Sequence, residues 1–284
     1  MIATVREIIM RGFAQFLLPP PSLAACVFGA VLRDTRGVEL LDHERLNHFP
    51  ASPLVSLNYV SEGTLHMVEN EHDFDKLRKS APLAKLTVLP ALNTPQTSWG
   101  AGEIYAISVG VFPDAWALID RNNPDILTTV KHAFAEFETG SAAQGWQRFC
   151  EKFDPIWQSA RSGGSSVAGF KTARLSDWSR ALMGRAAMAQ GGRSIRALER
   201  RVKRWSGQTR RSLSFYASFE ELGALRQQNQ DTPLAALAHD AGFSDQSHMG
   251  RMVRKASGFS PADLNRRIET EEAFWCYRVL GERF

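Results

Sequence analysis

The stretch LAALAHDAGFSDQSHMGRMVRKASGFSPADLNRRI, residues 234–268, decides how the chain is read. Just ahead of it Asp231 or Thr232 offers a helix cap and Pro233 suits a first turn, after which Leu234, Leu237 and Ala238 share one apolar face. That helix stops at Gly242. Beyond the short turn AGFS, Ser244 or Asp245 offers a second cap to the helix DQSHMGRMVRKAS, in which Met249, Val253 and Ala256 recur at four- and three-residue spacing on one side. Gln246, Ser247, Gly250, Arg251 and Arg254 fall on the other side. Two short helices so joined have helix-turn-helix geometry, in which the second helix lies in the DNA major groove and its first turns meet base edges. Arginine can grip guanine O6 and N7 in two places and glutamine can do the same with adenine, while Gly250 lets the groove come close.

A bare helix-turn-helix pattern has many accidental mimics, but here it occurs twice. Shifted by 51 residues, Arg200, Val202, Lys203, Arg204, Ser206, Gly207 and Thr209 align with Arg251, Val253, Arg254, Lys255, Ser257, Gly258 and Ser260. Each copy is an amphipathic helix closing at Ser-Gly, where glycine takes a left-handed backbone conformation without steric cost. In the first copy Ser194 caps SIRALERRVKRW, with Ile195, Arg196, Glu199 and Arg200 outward and Leu198, Val202 and Trp205 inward. Glu199 can accept from a cytosine amino group or orient a neighbouring arginine. Residues 210–230 read as a helix joining the copies, so that the two reading helices enter groove segments about one DNA turn apart.

Charge divides the chain in the same way. Residues 1–160 hold 13 Lys and Arg against 18 Asp and Glu, a net charge of −5, whereas the remainder holds 21 against 12, a net +9. An acidic front half is repelled by phosphates; a basic back half gains affinity by releasing counterions from DNA. The bland alternative, a merely solvated basic face, is separated from this by the repeat. At 284 residues, with about 150 per domain as a soft guide, two domains are expected. The Gly- and Ser-rich stretch SARSGGSSVAG, 159–169, reads as the connector, giving a regulatory domain over 1–160 and a DNA-binding domain over 170–284.

The front half carries short apolar or alternating stretches, PLVSLNYV at 53–60, AKLTVLP at 84–90 and EIYAISVGVF at 103–112, punctuated by prolines; these predict strands of a small barrel or sandwich. From Asp125 the period becomes helical, with Ile126, Val130, Phe134 and Phe137 in register. Such helices either cover the sheet or present a pairing surface. Apolar runs fall short of the roughly 18 residues a membrane span needs, and the N-terminus, interrupted by Arg6, Glu7 and Arg11, is unlike a secretory signal. Cys26, Cys150 and Cys276 stand far apart, matching neither a disulfide framework nor a zinc cluster and fitting a reducing cytoplasm.

The 234–268 stretch resembles the second helix-turn-helix of the AraC/XylS regulators through Ala238, Gly242-Phe243, Asp245-Gln246-Ser247-His248, Arg251, Gly258 and Ser260-Pro261. SIRALERRVKRWSGQT is similar to the family's first unit through Ser194, Arg196, Leu198, Arg200, Arg201 and Gly207. The preceding LMGRAAMAQGGRS departs from the family, with Gly191-Gly192 in place of the usual apolar-Gly-apolar turn. Over about 115 residues the resemblance implies seven helices, two of them reading helices, and binding to double-stranded promoter DNA without catalysis or cofactor. FPASPLVSLNYVSEG and SVGVFPDAWALI resemble, more loosely, the family's β-rich sensor domains. The fold expected is therefore α+β: an N-terminal β-rich, barrel-like (cupin-like) domain with flanking helices and a C-terminal all-α domain with two helix-turn-helix units. The expected DNA-binding set is Ile195, Arg196, Glu199, Arg200, Arg204, Gln246, Ser247, His248, Arg251, Arg254 and Lys255. RNA polymerase, a small-molecule effector and a second copy of the chain are the further partners this class of protein implies.

Other residues invite competing readings. His43, His48, His66 and His72 lack tight ligand spacing and are read as ordinary histidines, not a metal site. Trp99, Trp116, Phe112 and Tyr105 suit either an effector pocket or plain core. His248 suits a phosphate contact or inward packing. The aromatic spacing of the tail EEAFWCYRVLGERF suits docking on the helical bundle more than stacking on bases. Two further function classes compete with a sequence-specific reader: a DNA-repair regulator with a reactive cysteine, and an architectural protein without base preference.

Overall fold

Alternation in the front half does produce strands, and the computed structural model describes them within residues 12–69, 73–138, 140–162, 174–190, 194–228 and 234–281. β1 (Phe13–Leu17), β2 (Val27–Asp34), β3 (Leu46–Phe49), β4 (Val55–Glu62), β5 (Leu65–Met67), β6 (Leu86–Leu89), β7 (Gln96–Gly100) and β8 (Tyr105–Val111) form two antiparallel sheets. One has the order β1-β2-β8-β4-β6 and the other β3-β7-β5, with the short helix α1 (Phe74–Lys79) between β5 and β6. The expected β-rich domain is present, but its strands stay in two separate sheets and do not close into a barrel.

The period-two pattern assigns each strand residue a face. In β4 and β8, Leu57, Tyr59, Ile107, Val109 and Val111 are buried beneath the helices α2 (Pro113–Asn122), α3 (Ile126–Phe134) and α4 (Ala142–Ser162). Ile126, Val130, Phe134 and Phe137 all join this layer, where Phe134 stacks on Tyr59 at 5.0 Å. α3 and α4 therefore cover the sheet, and their outer faces are mostly exposed polar residues. Phe112, Tyr105 and Trp99 are buried core, and Trp116 packs against it half-buried.

Seven α-helices follow: α5 (Leu175–Met188), α6 (Ile195–Ser206), α7 (Arg210–Gln228), α8 (Leu234–Asp240), α9 (Gln246–Ser257), α10 (Pro261–Thr270) and α11 (Trp275–Gly281). Their apolar clusters are continuous with the β-rich half. Trp178, Leu182 and Ala186 of α5, Val202 of α6 and Leu213 of α7 belong to the same apolar cluster as the helix-covered face of the large sheet. Leu237, Phe243, Met249, Val253 and Leu264 share a second cluster with Leu46 and Trp99 of the small sheet. The connector expected at 159–169 begins inside α4, and its remainder lies outside the described residues, as do the expected cap at Asp231 or Thr232 and the Gly191-Gly192 turn.

The tail corrects an expectation. Instead of resting on the helical bundle alone, α11 packs on β1 and β3. Trp275 is 2% exposed, clusters with Ala14 and Val31, and donates its indole N–H to Asn47 Oδ1 at 2.8 Å. Beside it Glu272 forms a buried ion pair with Arg33 of β2, whose guanidinium lies 5.3 Å from the Trp275 ring. Arg278 closes the C-terminus of α10, donating to the carbonyls of Ile268 at 2.6 Å and Glu271 at 2.9 Å. His48 stacks on Phe274 at 4.4 Å and meets Thr97 Oγ1 at 3.1 Å. Its burial, helped by the nearby Arg267 charge, brings its pKa down from 6.5 to about 4.

Removing one member of a buried ion pair strands the other charge. Glu272→Ala should lower stability by about 3 kcal/mol in thermal melts, and the apolar pair Arg33→Met with Glu272→Leu should recover most of it; equal loss in both variants would refute the ion-pair account. His48 binds its proton more readily unfolded than folded, so its contribution is complete above pH 6.5 and is lost as pH falls toward 4. Replacing His48→Phe should flatten the stability profile across that window in pH-dependent denaturation.

Candidate nucleic-acid interface and ligand cavity

The 51-residue repeat persists at the level of single hydrogen bonds. α6 and α9 are both 12 residues long. Ser194 Oγ accepts from the Ala197 N–H at 3.2 Å, and Asp245 Oδ1 accepts from the His248 N–H at 2.6 Å. That bond and one from Ser244 hold the Asp245 carboxyl below its ordinary pKa. At the other end, Ser206 Oγ donates to the Val202 carbonyl at 2.8 Å and accepts from the Gln208 N–H at 3.2 Å. Ser257 Oγ does the same with Val253 at 2.8 Å and Phe259 at 3.1 Å. Gly207 and Gly258 then close the helices at φ 70° and 86°, the left-handed conformation that a side chain resists. Thr209 and Ser260 cap the next helices by the same i to i+3 bond.

With both helices fixed in this way, their outer faces correspond. On α6, Ile195, Arg196, Glu199, Arg200 and Arg204 are exposed, Ile195 at 71%. On α9, Gln246, Ser247, Arg251, Arg254 and Lys255 are exposed. Within the expected set two side chains are partly committed: the half-buried His248 sits edge-on to Phe243 and meets Ser244 Oγ at 3.2 Å, and the Lys255 ammonium lies 5.3 Å from the Phe215 ring. Lys203, the register partner of Arg254, is exposed on the same face as the α6 set and was absent from the expected residues. The offset that pairs Arg200 with Arg251 would have found it. Arg201 faces inward, where its Nε donates to the Ala186 carbonyl at 2.7 Å and ties α6 to α5. Val202, Met249, Val253 and Ala256 are buried as their spacing required, with Leu198 and Trp205 half-buried.

A family model described as a helix-turn-helix domain matches residues 188–267. Residues 188–267 form a helix-turn-helix domain of the AraC type. Among solved structures, ToxT from Vibrio cholerae in its apo form is 9% identical with a TM-score of 0.38, covering 83% of this chain and 95% of that one. ToxT with an unsaturated fatty acid bound is 10% identical with a TM-score of 0.36, covering 77% and 93%. Similarity this low carries neither fold detail nor ligand across. No curated protein matches the chain.

The C-terminal helices are fastened to the front half from two sides. Asp114 of α2 accepts the Trp178 indole N–H at 2.9 Å and pairs with Arg185, so α5 is held from the helix-covered side. The second unit is held from the opposite side, where the Ala51 N–H donates to the Ala256 carbonyl at 2.8 Å and Tyr216 donates to Asn93 Oδ1 at 3.1 Å. Sequence reading missed Asp114, because nothing local distinguishes it from any acidic residue in a first helical turn.

Between the two sheets lies a cavity of about 1010 Å³, at the upper end of the range for small-molecule sites. It exists because the large sheet turns small side chains toward it, Ser56, Ala106, Ser108 and Gly110, while the bulky members of β4 and β8 face the helices. Phe16, Phe28, Phe49 and Leu54 supply apolar wall, and Leu222, Leu264, Trp275 and Leu280 close it from the side of the AraC-type domain. Trp99, Trp116 and Phe112 are outside this lining. Among the described residues no three His, Cys, Asp or Glu side chains are grouped to hold a metal, and no helix is long and apolar enough to cross a membrane. His66 meets Ser80 Oγ at 3.0 Å; His72 lies outside the described residues.

The two glycines of α9 separate structural from recognition effects. Gly258→Ala should cost about 1 kcal/mol in thermal melts because its φ is positive. Gly250→Ala, whose new methyl would meet no atom within 4 Å, should raise helix stability by about 0.5 kcal/mol. A destabilised Gly250→Ala would mean that its face is packed and not open.

Proposed function

We propose that the chain is a sequence-specific DNA-binding transcription regulator of the AraC/XylS type, controlled by a small effector through its N-terminal β-rich domain. The observation that carries this reading is the duplicated helix: two 12-residue helices with matching caps and closures, each offering an exposed Arg-containing face at equivalent positions. Structural packing alone gives no reason for Arg200 and Arg251 to stand exposed at one register in both copies. Gln246, Ser247 and Arg251 occupy the first turns of α9, which meet base edges when such a helix enters the major groove. Arg196, Arg200, Lys203 and Arg204 give α6 a cationic face suited to phosphate and guanine.

The effector's place is the cavity between the sheets. A molecule seated there touches the regulatory strands and α7, α10 and α11 together, so its binding energy depends on how the two halves are disposed. The repair-type alternative meets unfavourable chemistry: all three cysteines are buried, and burial pushes the Cys150 thiol up to about 12 and those of Cys26 and Cys276 well above their usual value. The nucleophilic thiolate is disfavoured at each.

Arg251→Ala should cost about 1–3 kcal/mol of binding to the preferred site and relax base preference at one position, whereas Lys203→Ala should weaken all duplexes alike and make the salt slope shallower by about 1. Competition binding against random duplex at two salt concentrations reads both. If Arg251→Ala leaves site preference unchanged, α9 does not read bases through that residue. Equal affinity for all duplexes would instead favour an architectural protein.

A further inference from the structure

On the five-stranded sheet, the floor of the inter-sheet cavity carries a cluster of neutral polar side chains, while other polar residues of the lining, among them Asn47, Gln96, Ser98 and Asn265, come from the facing sheet and the C-terminal helices. Ser108 of β8 stands opposite Asn58 of β4 and diagonal to Ser56, and the two serine hydroxyl oxygens lie 2.8 Å apart. Ser108 donates to Asn58 Oδ1 at 2.7 Å, which leaves Ser56 to donate to Ser108 or, by turning, to the same Asn58 oxygen at 3.3 Å. The Asn58 amide is anchored in turn by the carbonyls of Ser56 at 3.3 Å and Thr87 at 3.4 Å. All three side chains are half-buried and all three line the cavity. Period-two alternation placed them there, on positions that could have carried bulky apolar groups like the neighbouring Leu57, Ile107 and Val109. Hydroxyls can turn to donate or accept, and each keeps lone-pair capacity beyond the bonds just described.

Besides Arg226 and Glu269, which come from the C-terminal helices, the lining holds three charged side chains, and each of these has partners away from the floor cluster. Arg33 pairs with Glu272 and donates to the Gly12 carbonyl at 3.1 Å. Arg278 gives its terminal nitrogens to the carbonyls of Ile268, Glu271 and Glu272. Glu220 caps α5 through the Leu175 N–H at 2.9 Å. A carboxylate or ammonium at the floor would therefore lose its hydration against neutral dipoles without gaining a counter-charge, whereas an uncharged head exchanges hydrogen bonds at little cost.

We infer that the cavity takes an uncharged amphiphile, a largely apolar molecule whose single neutral hydrogen-bonding head, an amide, alcohol or ketone, seats on Ser56, Asn58 and Ser108. This rests on the effector reading of the cavity, and the test keeps the two apart.

Nile red fluorescence reports occupancy of the apolar space, and decanamide and decanoate, matched in chain length, compete for it. In the full chain Nile red should bind, and Ala106→Phe, which fills the floor, should weaken it at least tenfold; absence of binding or indifference to Ala106→Phe overturns the cavity reading itself. Decanamide should displace the dye more tightly than decanoate. The double variant Ser56→Ala with Ser108→Ala should weaken decanamide about tenfold, each competitor being referred to the dye's own affinity for that variant, while leaving decanoate unchanged. With dye binding intact, tighter displacement by decanoate, or decanamide affinity unchanged in the double variant, overturns the uncharged-head assignment alone. The head-group comparison on the unaltered chain stands whether or not the variants fold.

Discussion

The buried pair between Arg33 and Glu272 is the interaction on which the arrangement of the molecule turns. Arg33 belongs to the second strand of the β-rich half, and Glu272 to the tail that follows the second helix-turn-helix unit. Taking both charges out of water is expensive, and the attraction between them offsets that cost only in one geometry. The pair thus acts more as a register pin than as a source of net stability. Around it the tail supplies the apolar gain, with Trp275 buried against β1 and β2 and held by Asn47.

Once the tail is pinned, both helix-turn-helix units share apolar clusters with the β-rich half. The first shares its apolar cluster with the helix-covered face of the five-stranded sheet, and Asp114 orients it through Trp178 and Arg185. The second shares another cluster with the three-stranded sheet. The relative placement of α6 and α9 is consequently set by the two layers of the β-rich half as well as by the connecting α7. That arrangement puts the cavity between the layers in mechanical contact with both units, because its walls are made of the elements that hold them.

How much of this was legible in sequence varied with the range of the forces involved. The second unit could be read almost residue by residue: Asp245 as cap, Met249, Val253 and Ala256 as buried face and Gly258 as closure depend on neighbours within four residues. The repeat extended the same reading to α6. The strands β4, β6 and β8 were visible because apolar and alternating runs are also a local pattern, whereas β3, β5 and β7 carry the mixed polar sequences LNHF, LHM and QTSWG, which show neither. The barrel expectation erred because closure depends on which strand edges meet, and no strand encodes that by itself.

The sequence by itself determined the two capped helices, their buried and exposed faces, and the split of charge between the halves, since helix periodicity, capping chemistry and charge are short-range properties. Only the tertiary structure decided that the aromatic tail serves the β-rich half, that Asp114 is a clamp, that Arg201 faces inward, and that the small residues of β4 and β8 open onto one cavity. Each of these depends on partners tens to hundreds of residues away, and which distant groups meet is settled when the layers pack against one another.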